Sequence, residues 1–248
     1  MQERGTAAYL AELIGTFLLV FFITAVVSLF VAEPTPAIPN PFLDWSVIGL
    51  VHVFLLFVLI QTLAVVSGAH FNPAVTAAMT MLRQITPRDA GIYVFLQMVG
   101  GTLGALLTKA LFLDEGRAQH YGAPAVSDVV SGNIFPGMVV EALGTFFLLW
   151  AIIGEAVNPR AATDWAALAI GGSLGMSVMV FGQVTGASFN PARAFGPALV
   201  GHAFDGAGKF TLVYVVGPLV GAAVAVALYA FLFEQPGRRE PGGAAPVG

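Results

Sequence analysis

The chain contains the stretch SGAHFNPA at residues 67–74 and repeats its frame as TGASFNPA at residues 185–192. Each copy interrupts an apolar run that is long enough to lie in a membrane. Proline breaks a helix interior but suits the first position of a helix, and asparagine is a preferred N-cap. Each Asn-Pro-Ala therefore predicts the start of a short helix inside hydrocarbon. Irregular backbone at that depth survives only where protein buries it or where it lines a wet cavity.

The composition indicates a polytopic membrane protein. Of the 248 residues, 57% are hydrophobic and only 10% are charged, whereas soluble domains carry roughly 25% charged residues. The net charge of −4 comes without a basic stripe, which argues against nucleic acid as a partner. The chain has no cysteine, so disulfides and thiolate metal sites are excluded. We expect no metal and no cofactor.

Six apolar runs reach the ~20 residues that a helix needs to cross a bilayer. They lie at about 6–32, 47–67, 90–113, 134–157, 164–184 and 209–233. The stretches that follow the two Asn-Pro-Ala copies, about 72–82 and 190–200, would each cover ~15–17 Å, half a bilayer. The sequence thus predicts an all-α membrane protein with six transmembrane helices and two re-entrant half-helices. Small residues four apart, such as Gly171 and Gly175, predict close helix packing.

The two halves of the chain repeat each other. ELIGTF at residues 12–17 matches EALGTF at residues 141–146. Each half, about 6–113 and about 134–233, holds three spans, so the second half enters the membrane upside down. This predicts an inverted repeat whose half-helices meet tip to tip near the midplane. We expect one channel domain over residues 1–248, with a disordered tail from about 235 to 248.

The basic residues predict the orientation of this multi-pass protein. Six lie on the face that carries the termini and three on the other face, which predicts cytoplasmic termini and a plasma (inner) membrane location. The six are Arg4, Arg83, Arg88, Arg160, Arg238 and Arg239, and the three are Lys109, Arg117 and Lys209.

Asn72 and Asn190 are the main candidates for solute binding. One such residue alone is as well explained as a plain helix cap, but two copies at symmetric places favour a shared site. Capping uses the side-chain oxygen, which leaves the NH₂ group as a donor to a passing oxygen atom. The positive half-helix N-termini disfavour cations at the same place. Each motif is completed by its proline and alanine, namely Pro73, Ala74, Pro191 and Ala192.

The backbone before each half-helix is a second candidate site element. Its carbonyl groups cannot all be paired within a helix, so we expect them to line the pore. The alternative is that neighbouring side chains satisfy some of them. The residues concerned are Gly68, Ala69 and His70 in the first copy and Gly186, Ala187 and Ser188 in the second. The His70 side chain is interpreted as structural support rather than as a proton-transfer group.

Three charged residues within the predicted spans and half-helices are candidates for a role at the pore: Arg193, Glu12 and Glu141. An intramembrane arginine costs at least ~2.5–3.5 kcal/mol and usually faces a cavity, so Arg193 is expected to face the pore and repel cations. A snorkelling arginine at a helix end is the alternative. Glu12 and Glu141 occupy equivalent positions. We interpret both as acceptors for the unpaired amides of the re-entrant loops, with a proton relay as the alternative.

These motifs resemble the major intrinsic protein family, the aquaporins and aquaglyceroporins, over about residues 6–233. They are Glu-x-x-Gly-Thr near the start of each half, HFNPAVT at 70–76 and NPARAFGPA at 190–198. The resemblance implies the aquaporin fold, one pore per protomer, a homotetramer and a passive channel rather than an enzyme.

The resemblance also implies a four-residue selectivity filter: His52, Val178, Ala187 and Arg193. This set resembles the tonoplast-type plant aquaporins, some of which also pass ammonia. Ala194 and Ala198 stand where glycerol channels usually carry an Asp and a basic residue, whereas Val215 departs from the aromatic residue common in water channels. We therefore expect water as the solute, together with small neutral solutes such as ammonia or hydrogen peroxide.

Two other functions remain open on these grounds, and a third is rejected. A glycerol or polyol facilitator is the alternative within the family. A secondary transporter with inverted repeats would need ionisable coupling residues in the pore, and an intramembrane enzyme would need a catalytic set that the sequence lacks. The sequence also leaves open whether His120, in the 114–133 loop, reaches the pore mouth.

Overall fold

The computed structural model describes residues 4–32, 42–161 and 163–233. The predicted disordered tail lies outside them. Six helices are long and apolar enough to cross a bilayer: α1 (Thr6–Leu29), α2 (Trp45–Ser67), α4 (Pro87–Leu111), α5 (Ile134–Val157), α6 (Ala166–Thr185) and α8 (Ala207–Phe233). Two shorter helices follow the Asn-Pro-Ala motifs: α3 (Pro73–Met81) and α7 (Pro191–Val200). The predicted all-α membrane fold is confirmed.

Two spanning helices begin or end at residues that differ from the predicted ones. The third span begins at Pro87 rather than at about 90, because Thr86 caps it by accepting a hydrogen bond from the Asp89 amide. The first span ends at Leu29 rather than at about 32. Beyond it, β1 (Val31–Ala32) pairs in antiparallel register with β2 (Phe42–Leu43).

The two halves are interlocked by their half-helices. Within the halves, α1 packs on α4 and α5 packs on α8, while α2 packs on α6 between the halves. Each half-helix also contacts the last spanning helix of the other half, α3 on α8 and α7 on α4. The six crossings bring the start of α1 and the end of α8 to one side, the terminal face, and leave the turn between α4 and α5 on the opposite face.

Glycines allow the close helix contacts that their spacing predicts. A Cβ atom on Gly171 would stand 2.5 Å from the carbonyl oxygen of Val53 in α2, and one on Gly175 would stand 2.5 Å from that of Gly49. Without Cβ atoms, the backbones of α2 and α6 approach directly, which strengthens dispersion contacts where lipid supplies no hydrophobic driving force.

Gly171→Ala is expected to lower the free energy of unfolding by about 1–3 kcal/mol, because the new methyl group overlaps the α2 backbone. At the neighbouring Gly172, no atom lies within 4 Å of the place that a methyl group would take. Gly172→Ala should therefore be neutral or stabilise the helix by up to about 1 kcal/mol. Thermal unfolding of the two purified variants in detergent measures the difference, and equal stabilities would contradict it.

Candidate functional site

The first re-entrant loop, between α2 and α3, has a strained backbone that one carboxylate holds. Gly68, Ala69 and Phe71 all have positive φ angles, of 86°, 51° and 48°. The amides of His70 and Phe71 donate to Glu12 Oε1 at 2.9 Å and Oε2 at 2.7 Å. Glu12 is fully buried. A carboxylate from α1 thus satisfies two amides that no helix pairs.

The second re-entrant loop, between α6 and α7, repeats this arrangement. Ala187 and Phe189 have φ angles of 45° and 52°. The amides of Ser188 and Phe189 donate to Glu141 Oε1 at 2.9 Å and Oε2 at 2.6 Å. Non-glycine residues rarely adopt positive φ, and such strain persists only where the surroundings enforce it. Both loops are therefore held in a costly shape by the same device.

Hydroxyl groups at the ends of α2 and α6 strengthen both loops, and sequence reasoning missed them. Ser67 and Thr185 each donate to the carboxylate of their own half at 2.7 Å. Tyr93 donates to the Ser67 carbonyl at 2.9 Å, and Tyr214 donates to the Thr185 carbonyl at 2.8 Å. The sequence does mark the two tyrosines, because they are the first residues of the matching stretches YVFLQMVG and YVVGPLVG.

The glycine of each Glu-x-x-Gly motif accommodates a loop phenylalanine. A methyl group on Gly15 would overlap the ring of Phe71, and one on Gly144 would overlap the ring of Phe189. Both rings are fully buried. Residues three apart share a helix face, so the carboxylate and the glycine contact the same loop. The sequence shows that the glutamate and the glycine are three residues apart, but it does not show which loop they contact.

The two asparagines link the loops at the centre. Asn72 Oδ1 accepts from the Ala74 amide at 2.8 Å, and Asn190 Oδ1 accepts from the Ala192 amide at 3.0 Å, as N-caps do. Each Nδ2 also donates to a backbone carbonyl of the opposite loop at 2.9 Å, Asn72 to Phe189 and Asn190 to Phe71.

The NH₂ group that capping leaves as a donor is therefore only partly available to a solute. An amide nitrogen carries two hydrogens, and one of them crosses to the other loop on each asparagine. One hydrogen remains on each Nδ2, and both asparagines line the same cavity. The cross-links also fix the two half-helix tips relative to each other.

A cavity of about 290 Å³ begins at the terminal face, passes both asparagines and ends at Arg193. One wall is polar and comes from the re-entrant loops: Gly68, Ala69, His70, Asn72, Ser188, Asn190 and Arg193. The facing wall is apolar and comes from spanning helices: Leu19, Ile23, Leu56, Leu148, Ile152 and Leu174. The re-entrant loops therefore supply most of the hydrogen-bonding groups of this passage, and His52 in α2 is the polar exception among the described residues of the spanning helices.

Arg193 lines this cavity and also a second one of about 560 Å³ on the opposite face. Its side chain is 2% exposed. Its Nε and Nη1 find no hydrogen-bond partner among the residues that the structure describes. Burying a guanidinium with unpaired donors costs free energy unless a solute in the passage accepts hydrogen bonds from them. The unused donors of Arg193 are therefore available to a solute where its side chain lines the passage.

The other three residues of the implied filter are also buried. His52 lines the first cavity, and its Nδ1 lies 2.8 Å from the Ile48 carbonyl oxygen. Because a carbonyl only accepts, Nδ1 carries the hydrogen, and the Nε2 of the neutral ring is an acceptor. Within the described ranges, Val178 and Ala187 line neither cavity and are at most 1% exposed.

His120 lines neither cavity among the residues that the structure describes. Its side chain is exposed, and its backbone packs against Gly201. The wall of the second cavity is formed instead by neighbours in the same turn, among them Gln119, Pro124 and Ser127.

Six spanning helices around a narrow, one-sidedly polar passage define a membrane channel. The chain belongs to the major intrinsic protein family, whose model, described as "Major intrinsic protein", matches residues 2–229. The resemblance found in the sequence is thereby confirmed, and the family is one of aquaporin channels rather than enzymes.

Named relatives agree with this assignment. The chain is 36% identical to the "Probable aquaporin AqpM" of Archaeoglobus fulgidus, over 92% of this chain and 97% of that protein. It is 36% identical to nodulin-26 of Glycine max, over 86% and 74%. The solved aquaglyceroporin of Plasmodium falciparum shares the fold with a TM-score of 0.75 at 22% identity, covering 91% of this chain and 96% of that one.

Proposed function

We propose that this protein is a passive water channel that also passes small neutral solutes such as ammonia or hydrogen peroxide. The observation that carries the proposal is the cavity with one polar and one apolar wall. Polar groups along one side replace part of the hydration of a water file. The apolar side binds nothing, so water is held loosely enough to move on, as conduction requires.

Ion exclusion follows from the charges along this passage. The N-termini of α3 and α7 meet at its centre, and their partial positive charges oppose a cation there. The free amide hydrogens of Asn72 and Asn190 bind the oxygen of a water molecule. Arg193 adds a full positive charge at one end. A neutral molecule with a lone pair is favoured at every one of these points.

We further propose that His52, Val178, Ala187 and Arg193 form the filter that chooses among neutral solutes. The side chains of Val178 and Ala187 carry no polar atom, so they demand no hydrogen bond from a solute. The Nε2 acceptor of His52 suits an N–H or O–H group. A polyol facilitator, the alternative within the family, is tested in the same vesicles by glycerol flux.

Stopped-flow light scattering on proteoliposomes tests the water function. Purified protein should raise osmotic water permeability well above that of empty vesicles of the same lipid. Permeability equal to that of empty vesicles would overturn the proposal. Saturable or gradient-driven uptake would instead favour a secondary transporter.

The double variant His52→Phe/Val178→His is expected to lower ammonia flux by about tenfold and water flux by less than threefold. The aromatic ring narrows the opening and the new imidazole demands a hydrogen bond, and pore diameter and lining donors set selectivity. Alkalinisation of a trapped dye measures ammonia entry. Leu50→Phe, on an exposed position of α2, is the matched control. Equal ammonia flux in the double variant and the wild type would contradict this filter.

We also propose that residues 6–113 and 134–233 are the two repeats of one channel domain that assembles as a homotetramer. The excess of basic residues on the terminal face supports cytoplasmic termini in a plasma (inner) membrane. Light scattering in detergent measures the protomer number, and reporter fusions to the C-terminus measure the orientation. A monodisperse monomer or an external C-terminus would count against these assignments.

A further inference from the structure

The mouth of the passage at the terminal face contains a second arginine. Arg4, two residues before α1, lines the cavity beside His70 and Gln84. A Cβ atom on Gly68 would stand 3.4 Å from His70 Nε2 and 3.5 Å from Arg4 Nη2. Both side chains therefore flank the same point of the first re-entrant loop. The Nε of Arg4 is buried and has no hydrogen-bond partner in the described part of the chain.

The start of α4 holds Arg4 in this place. The Arg4 amide donates to Asp89 Oδ2 at 3.1 Å, and the Tyr9 hydroxyl donates to Asp89 Oδ1. Thr86, the N-cap of α4, donates to the same carboxylate at 2.7 Å. Asp89 is buried. The segment before α1 is thus tied to the helix that follows the first half-helix, and Arg4 keeps its position over the mouth.

A chain of hydrogen bonds determines which nitrogen of the His70 ring carries the hydrogen. Gln97 Nε2 donates to Glu12 Oε2 at 2.8 Å and to Thr76 Oγ1 at 2.9 Å. A reversed amide would set its oxygen against the ionised Glu12 carboxylate, which only accepts hydrogen bonds. Thr76 accepts this bond and directs its own hydrogen to His70 Nδ1, 3.1 Å away. The neutral ring then carries its hydrogen on Nε2, the atom near Gly68 and Arg4.

We propose that Arg4 is part of the pore wall and forms, with His70, a second cation barrier at the terminal-face mouth. The proposal rests on the proposed conduction of water by the same passage. A guanidinium has donors only and stays charged, and His70 adds one N–H. An entering water is bound through its oxygen, while a cation meets a fixed positive charge before the centre. Arg4 and Arg193 would guard the two ends.

Cysteine labelling tests whether Arg4 lines the passage. The chain has no cysteine, so Arg4→Cys introduces a unique thiol. The variant is labelled in detergent with the cationic reagent methanethiosulfonate ethyltrimethylammonium and then reconstituted, which makes the result independent of orientation. We expect water permeability to fall at least ~5-fold, because the adduct fills a narrow mouth, and to recover with dithiothreitol.

Arg88→Cys is the matched control, because Arg88 is exposed at the start of α4 and lines no cavity in the described residues. Its labelling should leave water permeability unchanged. A fully labelled Arg4→Cys protein that conducts like its unlabelled form would overturn the proposal, as would a thiol that the reagent does not reach.

The barrier itself is tested in the Arg193→Val background, where Arg4 remains as a fixed charge. Adding Arg4→Ala should raise the proton and potassium leak at least ~10-fold, whereas adding Arg88→Ala or Arg4→Lys should not. Equal leaks with and without Arg4 would overturn the barrier. This comparison does not depend on water flux, so it still reports on Arg4 if the wild type conducts no water and the proposed function fails.

Discussion

Glu141→Ala is expected to abolish water conduction and to lower the free energy of unfolding by about 3–6 kcal/mol. The buried carboxylate accepts from the amides of Ser188 and Phe189 and from the hydroxyl of Thr185. Without it, these donors are unpaired at membrane depth, where no bulk water replaces the acceptor. The positive φ angles of the loop then lose the contacts that enforce them. Thermal unfolding in detergent and stopped-flow water permeability measure the two effects.

Two further variants distinguish the loss of the loop contacts from the loss of a negative charge. Glu141→Gln keeps one acceptor oxygen but sets an NH₂ group against one amide, so we expect a smaller loss of about 1–3 kcal/mol. Glu155→Ala changes a half-buried carboxylate on the same helix and should have little effect. A Glu141→Ala protein that melts and conducts like the wild type would show that the loop does not depend on this carboxylate.

Arg193→Val is expected to raise the leak of protons and potassium ions by about 10²-fold while water permeability is kept or increased. Arg193 lines both cavities, and no Asp or Glu among the described residues lines either one. Its charge is therefore not neutralised by a neighbouring acid in the wall. Valine widens this point and leaves the weaker half-helix charges as the main barrier at the centre.

Decay of an imposed potential, followed with a voltage-sensitive dye in proteoliposomes, measures the leak. Arg193→Lys should leak much less than Arg193→Val, because it keeps the charge, although it loses the planar set of donors. Arg88→Val removes an exposed arginine and serves as the control. No increase in leak in Arg193→Val would mean that the charge of Arg193 does not limit cation passage.

Much of the fold is readable from the chain because its signals are local. The apolar runs give the six spans within a few residues, and Asn-Pro at 72–73 and 190–191 gives the starts of both half-helices. The errors fall at span ends such as Pro87, where a cap rather than hydropathy decides the boundary. The inverted repeat follows from counting spans, since an odd number in each half reverses the second half.

The site was less readable because its contacts join distant parts of the chain. Asn72 and Phe189 lie 117 residues apart, and no local pattern shows that one amide hydrogen of Asn72 is donated to that carbonyl. The spanning helices are apolar on all sides, so periodicity does not mark Leu19 or Leu174 as pore-facing. Arg4 lies in no motif, so the sequence does not mark it as a residue of the passage.

The sequence by itself determined the helices, their order, the doubled half-helices and the residue types at the centre. Hydrophobic length, helix capping and the donor content of a side chain are properties of a residue and its near neighbours. Tertiary structure alone decided which donors of Asn72 and Asn190 are free, which apolar side chains line the passage, and that Arg4 reaches its mouth. Those facts depend on how separate helices pack, and packing sets direction and distance, which composition and spacing do not contain.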